Sequence, residues 1–295
     1  MLLLLGFVAT LFASCDDGFV DPFLRGGGAF SVYGAIVSDG VPLTHTVRVV
    51  PVRTLPDAPT DTSQATAQLD VVVSSTNLVT GDSLQWAKRV VRYANGTIGY
   101  LFSNTFRAQP DTPYRLTVRR IFDGYETAAE FATPLTPTAS YGPVEVIGLD
   151  GEQGLADSVR QEVRWAAARL DSVSVGYRVP GGSGAVVIRI PYPDVTGGEG
   201  PRPVEVDYVR DLEILRDTLG LNPGQTVTLY EMSMRVRALG ADWVTPTDDP
   251  EILAQPSTFI NVENGYGFVG GATFGSTVWL PDREAMQAAG FSPSY

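Results

Sequence analysis

The side chains that most often perform catalysis are scarce in this chain. It contains one cysteine, Cys15, one histidine, His45, and one lysine, Lys88. A single histidine excludes any zinc site that needs two imidazoles. A Ser-His-Asp triad would have to use His45, which lies in a strand-like stretch, and the chain has no G-x-S-x-G motif. A Ser-Lys dyad would need Lys88, and no S-x-x-K motif precedes it.

Carboxylates are abundant, with 33 Asp and Glu against 21 Lys and Arg. A pair of them acting in glycoside hydrolysis stays open as an alternative, because their separation cannot be read from the sequence. The acidic segments Asp150-Gly151-Glu152 and Asp248-Asp249 lack the alternating oxygen ligands of an EF-hand loop. We therefore predict that they are solvated loops, and that the protein has no metal, no cofactor and no enzymatic activity.

The net charge is −12. This charge argues against nucleic acid as a partner, because its phosphates would repel so acidic a chain. The sequence also offers no polybasic patch for anionic lipids.

Three glycines, Gly265, Gly267 and Gly270, match the dinucleotide-binding pattern G-x-G-x-x-G. That motif requires a strand before it and a helix after it. Here the β-like segment 272–279 follows, so the glycines instead indicate a bulge or a close backbone approach in a final strand. We predict that Asn261 supports this bend by bonding to a neighbouring backbone group.

The first fifteen residues place Cys15 directly after an apolar run. Residues 2–14 are too few to span a bilayer, which takes about 20 residues. The small residues Ala13 and Ser14 before the cysteine resemble the lipobox of bacterial lipoproteins. This resemblance implies that residues 1–14 are a signal peptide, that Cys15 is acylated, and that residues 15–28 tether a body to the membrane. A plain secretory signal is the alternative.

Short runs of alternating apolar residues fill the region 29–133. Phe30, Val32 and Ile36 open the first run, and Asn95-Gly96 between two such runs predicts a hairpin. Short strands at this spacing predict an immunoglobulin- or fibronectin-like β-sandwich.

A second β-sandwich is predicted over 144–281, after a proline-containing linker at 134–143. Within it, Tyr208, Leu212, Leu215 and Leu219 have helical spacing and Gly220 follows as a C-cap, which predicts a short helix insertion. The change of phase around Tyr230 predicts a bulge within one strand. A tail at 282–295 carries a short helix capped by Asp282. The fold class is thus all-β, with two tandem sandwich domains.

Several segments together resemble a family of Bacteroidota lipoproteins that carry a domain of unknown function. The segments are residues 30–36 (FSVYGAI), 112–118 (TPYRLTV), 131–134 (FATP) and, within 256–271, residues 261–268 (NVENGYGF). The resemblance implies an outer-membrane lipoprotein often encoded beside a TonB-dependent receptor, and it implies no catalytic residue.

The two resemblances together imply a lipid-anchored cell-envelope protein of the outer membrane, facing the periplasm or the cell surface. It would act as a binding or accessory module, with an outer-membrane receptor as a partner; the sequence does not identify a small-molecule or glycan ligand. A structural or adhesive envelope protein is the alternative, and a glycan-active hydrolase is the third.

Overall fold

The protein is all-β, as the sequence predicts. The computed structural model describes residues 30–52, 69–149 without 95 and 97, 154–193 without 168 and 183, 203–243 and 261–295. The signal peptide, Cys15 and the tether lie outside these residues, as do the acidic segments 150–152 and 248–249. Among the described helices, none is both long and apolar enough to cross a bilayer.

The described residues form eighteen strands and two helices. In chain order they are β1 (Phe30–Ser38), β2 (Leu43–Pro51), β3 (Val71–Asn77), β4 (Ser83–Gln85), β5 (Ala87–Arg92), β6 (Ile98–Phe106), β7 (Thr112–Arg120), β8 (Glu126–Thr133), β9 (Thr138–Ile147), β10 (Ser158–Ala166), β11 (Leu170–Gly181), β12 (Gly184–Pro191), β13 (Pro203–Asp207), α1 (Tyr208–Leu219), β14 (Val227–Leu229), β15 (Glu231–Leu239), β16 (Val262–Glu263), β17 (Tyr266–Trp279), α2 (Arg283–Ala288) and β18 (Phe291–Pro293).

One eight-stranded sheet runs through both halves of the chain, in the order β12-β11-β15-β17-β1-β2-β6-β5. We call it the shared sheet. The N-terminal cover sheet, β16-β8-β7-β3-β4, packs on one half of it, and the C-terminal cover sheet, β13-β10-β9, packs on the other. Two separate hydrophobic cores lie between these layers, one in each half.

Local sequence signals account for many elements. Phe30, Val32 and Ile36 of β1 are buried, as the alternation predicts. β5 and β6 pair as an antiparallel hairpin, with Gly96 of the turn at a φ of 82°. Both observations confirm predictions made from the sequence.

Both predicted helices are present. Asp207 caps α1 by accepting a hydrogen bond from the Arg210 backbone N–H, and Gly220 ends the helix at a φ of 66°. Asp282 caps α2 through the Ala285 N–H, at 2.9 Å. The tail that carries α2 is an integral part of the C-terminal half, because Met286 is fully buried in the C-terminal core and β18 pairs with β14.

The structure differs from the predicted linker at 134–143, because β9 begins at Thr138 and pairs with β10. Prolines normally interrupt strands because they lack an N–H group. Pro143 is accommodated because β9 is an edge strand of the cover sheet and the β9–β10 register shifts beside Gln161.

A second difference lies at Tyr230. The predicted bulge within one strand is wrong, because β14 and β15 belong to different sheets and the chain changes sheet at this residue.

The long strand β17 joins the two halves. Its first part, from Tyr266 to Thr273, runs parallel to β1, and its second part pairs with β15. β16, just before it, pairs with β8 of the N-terminal cover sheet. The segment predicted to close the second sandwich alone therefore completes both halves.

The glycines of β17 are structural, as predicted. Gly267 has a φ of 99°, and a Cβ atom there would overlap the Val32 carbonyl oxygen. A Cβ atom on Gly271 would likewise overlap the Ala132 oxygen of β8. A strand follows these glycines where a dinucleotide site would need a helix, so the G-x-G-x-x-G match has no nucleotide-binding geometry.

Candidate ligand-binding site

A cavity of about 560 Å³ opens at one end of the N-terminal half, between the β3–β4 turn and the β6–β7 connection. This volume lies in the range of small-molecule sites. The residues that line it come from these two segments and the adjoining strand ends: Ser75, Asn77, Thr80, Asp82, Ser83, Leu84, Phe106, Arg107, Gln109 and Tyr114. We call it the end pocket.

Side-chain hydrogen bonds hold the β3–β4 turn in shape. The Asn77 Oδ1 atom accepts from the backbone N–H groups of Val79 and Thr80, at 2.9 and 3.2 Å. The Thr80 hydroxyl donates to Asp82 Oδ2 at 2.7 Å. Gly81 supplies the positive φ of 79° that the turn requires. The polar wall of the end pocket is therefore largely preformed.

The opposite wall, the β6–β7 connection, is held from three directions. The Thr133 hydroxyl donates to the Gln109 carbonyl at 2.6 Å, and the Gln109 N–H donates to the Tyr114 hydroxyl at 2.9 Å. The Ser38 hydroxyl donates to the buried Ala108 carbonyl at 3.0 Å. These bonds fix the backbone from which Arg107 and Gln109 project.

Tyr114 forms part of the floor of the pocket. Burial raises the pKa of its phenol, and the hydrogen bond from the Gln109 N–H opposes that effect only in part. Tyr114 is therefore a neutral phenol at physiological pH. Its oxygen accepts from Gln109, and no acceptor for its proton is found among the described residues, which leaves a donor for a ligand.

Aromatic rings support the floor from behind. Trp86 meets Phe106 edge to face, at 6.2 Å between ring centroids, and donates its indole N–H to Ser75 Oγ at 3.0 Å. His45 also packs against Phe106, with centroids 4.4 Å apart. The positions of Phe106 and Ser75 are therefore set by buried neighbours.

The predicted half-exposed position of His45 is wrong, because the residue is only 3 % exposed. Its Nδ1 atom accepts from the Val37 N–H at 3.3 Å, so Nε2 carries the proton and donates to the Phe106 carbonyl, also at 3.3 Å. Burial lowers the pKa of His45, and the bond to Phe106 only partly opposes this. The ring is thus a neutral structural group behind the pocket.

Two charged side chains line the end pocket, Asp82 and Arg107. Arg107 forms no ion pair with any described residue. Glycoside hydrolysis requires two carboxylates, and the described lining contains one. The geometry favours the binding of a polar molecule by hydrogen bonds over an apolar floor.

A second cleft, of about 320 Å³, lies on the C-terminal cover sheet. Both of its arginines are already paired, because Arg160 pairs with Glu205 at 2.9 Å and Arg164 pairs with Glu162. Exposed pairs of this kind contribute little to stability and leave little for a ligand. We regard it as a charged surface.

A buried polar cluster ties α1 to the sheets in the C-terminal half. Asp211 is fully buried, and its Oδ2 atom accepts from the hydroxyls of Tyr177 and Tyr192, at 2.6 and 2.5 Å. Its Oδ1 atom accepts from Arg210 at 2.8 Å. Burial, and then the negative charge of Asp211, raise the pKa of Tyr177 and of Tyr192. Both phenols therefore stay protonated as donors, so the cluster is internally satisfied.

The residues singled out in the sequence do not meet at one site. Cys15 lies outside the described part of the chain. Lys88 donates to the Leu69 carbonyl at 2.9 Å, and His45 supports Phe106. The lining of the end pocket was missed, although Asn77-Leu-Val-Thr-Gly-Asp82 carries the composition of a structured turn.

Within the described ranges, no three metal-ligating side chains come close enough to hold an ion. Comparison of the sequence with protein-family models and with curated proteins finds no match.

Proposed function

We propose that the protein is a lipid-anchored module of the outer membrane that binds a small polyhydroxylated ligand, such as a saccharide, in the end pocket. The observation that carries the ligand-binding part is the pocket itself, with planar hydrogen-bonding side chains above an aromatic floor. Gln109 offers an amide donor and an amide acceptor, Arg107 offers guanidinium donors, and Asp82 offers a carboxylate acceptor. Asn77 adds its amide NH2 donor, because its Oδ1 atom is already bound within the turn. This mixture of donors and acceptors suits neighbouring hydroxyl groups. Tyr114 and Phe106 offer the apolar contact that a sugar ring face needs.

The anchor is supported by the sequence around Cys15 alone. Acylation there would hold the pocket at the membrane, where an outer-membrane receptor is the proposed partner. Intact-mass analysis of membrane-extracted protein should show the mass of residues 15–295 plus the attached acyl groups, and Cys15→Ala should abolish this species. An unmodified chain that leaves the membrane with the soluble fraction would contradict this part of the proposal.

We also infer that each core belongs to an immunoglobulin- or fibronectin-like sandwich. The support is that a cover sheet faces each half of the shared sheet across its own hydrophobic core. The two sandwiches would then be fused through β17 and not simply joined in tandem.

Ligand binding can be tested by saturation-transfer NMR with a panel of neutral mono- and disaccharides. We expect binding by the wild-type chain and at least tenfold weaker binding by Arg107→Ala and Gln109→Ala. Arg164→Ala is the matched control, because it removes an exposed arginine from the other cleft. The structural or adhesive alternative would be favoured if all variants bound equally, or if no saccharide bound at a saccharide concentration of 10 mM. A Kd of 10 mM corresponds to roughly 3 kcal/mol of binding free energy.

A further inference from the structure

The two edge strands of the shared sheet differ in how they are protected. β5, at one edge, carries three exposed cations in the sequence AKRVVR. Charges of this kind keep an edge from pairing with other chains. β12, at the other edge, reads GAVVIRIP and carries one charge, Arg189. Val186 and Val187 there are 40 % and 49 % exposed, so this edge is both apolar and accessible.

The unpaired main-chain groups of β12 can be assigned from the ladder. The Tyr192 N–H donates to the Val173 carbonyl at 2.9 Å, which makes this a hydrogen-bonded pair. Along an antiparallel strand, the N–H and C=O groups of successive residues point to alternate sides of the strand. The main-chain groups of Ile190, Ile188 and Val186 therefore also point at β11. The N–H and C=O groups of Ala185, Val187 and Arg189 therefore point away from the sheet, and no described strand pairs with them.

The side chains beside this edge differ between the two faces of the sheet. On the core face, Val186 and Ile188 lie opposite the buried Val179 and Tyr177 of β11. If another strand paired with β12, its core-facing side chains would contact Val186 and Ile188. Those side chains must be apolar to extend the hydrophobic core.

The outer face of the same edge is cationic. Arg189 and, on β11, Arg178 are exposed there, and neither forms an ion pair with a described residue. Glu231 lies opposite Arg178 in register but makes no salt bridge to it. By contrast, Arg235 and Arg237 further along this face pair with Asp39 and Asp171. Two arginines without an ion-pair partner among the described residues thus lie beside the open edge.

We propose that β12 is a docking edge for an extended segment of a partner protein in which acidic and apolar residues alternate. The apolar side chains would extend the C-terminal core past Val186 and Ile188, and the carboxylates would face Arg178 and Arg189. Main-chain bonds to Ala185, Val187 and Arg189 would supply the pairing, as in other cases of strand addition.

A second copy of this chain fits the edge less well. If two copies paired antiparallel about Val187, Arg178 and Arg189 of both copies would lie in one cationic patch. The two chains would also repel each other overall, because each has a net charge of −12. Like charges at such a site are repulsive. A partner that supplies carboxylates removes this repulsion.

The inference goes beyond the proposed function and does not depend on the end pocket. β12 stands six strands from β6 in the shared sheet, which at a spacing of about 4.8 Å is roughly 29 Å. A saccharide and a partner segment would therefore not compete directly, and failure of one test leaves the other unaffected.

The test uses two acetylated, amidated hexapeptides as probes, one alternating Val and Glu and the other alternating Val and Lys. Binding to the full chain in detergent is measured by fluorescence anisotropy and by amide hydrogen exchange. We expect the Glu peptide to bind at least tenfold more tightly than the Lys peptide, with protection of the amides of Val187 and Arg189. Arg189→Glu should reverse the preference.

Val187→Pro tests the main-chain contact separately. It removes the central N–H group at an edge where proline is tolerated, so the fold should persist while Glu-peptide binding falls at least tenfold. Val187→Thr, which keeps the N–H group, is the matched control. Equal binding of both peptides, unchanged binding by Val187→Pro, or protection of these amides by self-association without peptide would each overturn the proposal.

Discussion

The side chain of Asn261 pairs with the backbone of Val269 as a neighbouring strand would. Its Oδ1 atom accepts from the Val269 N–H at 3.0 Å, and its Nδ2 atom donates to the Val269 carbonyl at 2.6 Å. Val269 is fully buried in the N-terminal core, so both main-chain groups need a partner. One amide thus satisfies both groups on a part of β17 that lies before its pairing with β15 begins at Ala272.

Asn261→Ala should therefore lower the free energy of unfolding by about 1–3 kcal/mol, because a buried N–H and C=O lose their partners. Urea denaturation measures this. Asn261→Asp keeps an acceptor for the N–H but has no donor for the carbonyl, so it should also destabilise. An Ala variant as stable as the wild type would show that water replaces the side chain.

Gly267→Val should destabilise the protein by at least about 2 kcal/mol, or prevent folding. A side chain there meets the Val32 carbonyl, and the φ of 99° is one that L residues rarely adopt. Thermal melts measure the change. Gly182→Val is the control, because nothing lies within 4 Å of a Cβ atom at that hairpin tip. If Gly267→Val melted like the wild type, the glycine would not be needed for the close approach of β17 to β1.

Local signals predicted much of this fold, whereas the pairing of distant segments could not be predicted. The alternation in β1, the cap at Gly220 and the glycines of β17 depend on neighbouring residues, so the sequence reveals them. The neighbours of β17 depend on contacts between residues more than 200 positions apart, such as Gly34 and Val269. Hydrophobic periodicity does not encode such partners.

The end pocket was unpredictable for the same reason. Asn77 and Asp82 lie about thirty positions before Arg107 and Gln109, and only the packing of β3 against β7 brings the two turns together. The unexpected burial of His45 also arises from tertiary contacts, because its two ring nitrogens are satisfied by the backbones of β1 and β6. No local sequence pattern predicts the end pocket or the burial of His45.

His45 should make stability depend on pH. Burial lowers its pKa in the folded protein below the ordinary 6.5, so the unfolded chain binds the proton more readily. Its contribution to stability is therefore fully present above pH 6.5 and declines as the pH falls from there through the folded-state pKa. Protonation would also place a hydrogen on Nδ1 against the Val37 N–H.

Urea denaturation at pH 7.5 and pH 5.5 tests this against His45→Gln. The wild type should lose more stability over this interval than the variant, since the acidic groups titrate in both proteins. Parallel losses in the two proteins would mean that His45 does not carry the effect.

The cluster at Asp211 should be sensitive to loss of its carboxylate. Asp211→Ala removes the acceptor of two buried phenols and of Arg210, so we expect a loss of about 3–5 kcal/mol. Tyr177→Phe leaves Asp211 with two donors and should cost about 1–2 kcal/mol.

Tyr177 and Tyr192 donate to the same oxygen atom, so their effects should not add. A double-mutant cycle of Tyr177→Phe and Tyr192→Phe, followed by urea denaturation, measures the coupling. Strict additivity would mean that the two hydroxyls act independently.

Cleavage of the backbone between β8 and β9 should not separate the two halves. A protease site placed at residues 134–137 would cut the chain directly after β8. β17, on the C-terminal side of the cut, would still pair with β1 over residues 266–273 and with β15 over residues 272–279. We expect the nicked pieces to elute together in gel filtration and to separate only in urea. The N-terminal piece expressed alone should not fold, because β1 loses its parallel neighbour and the core loses Val262 and Val269. Two pieces that separate without denaturant, each with native amide dispersion, would show that the halves are independent domains and that the sharing of β17 is dispensable.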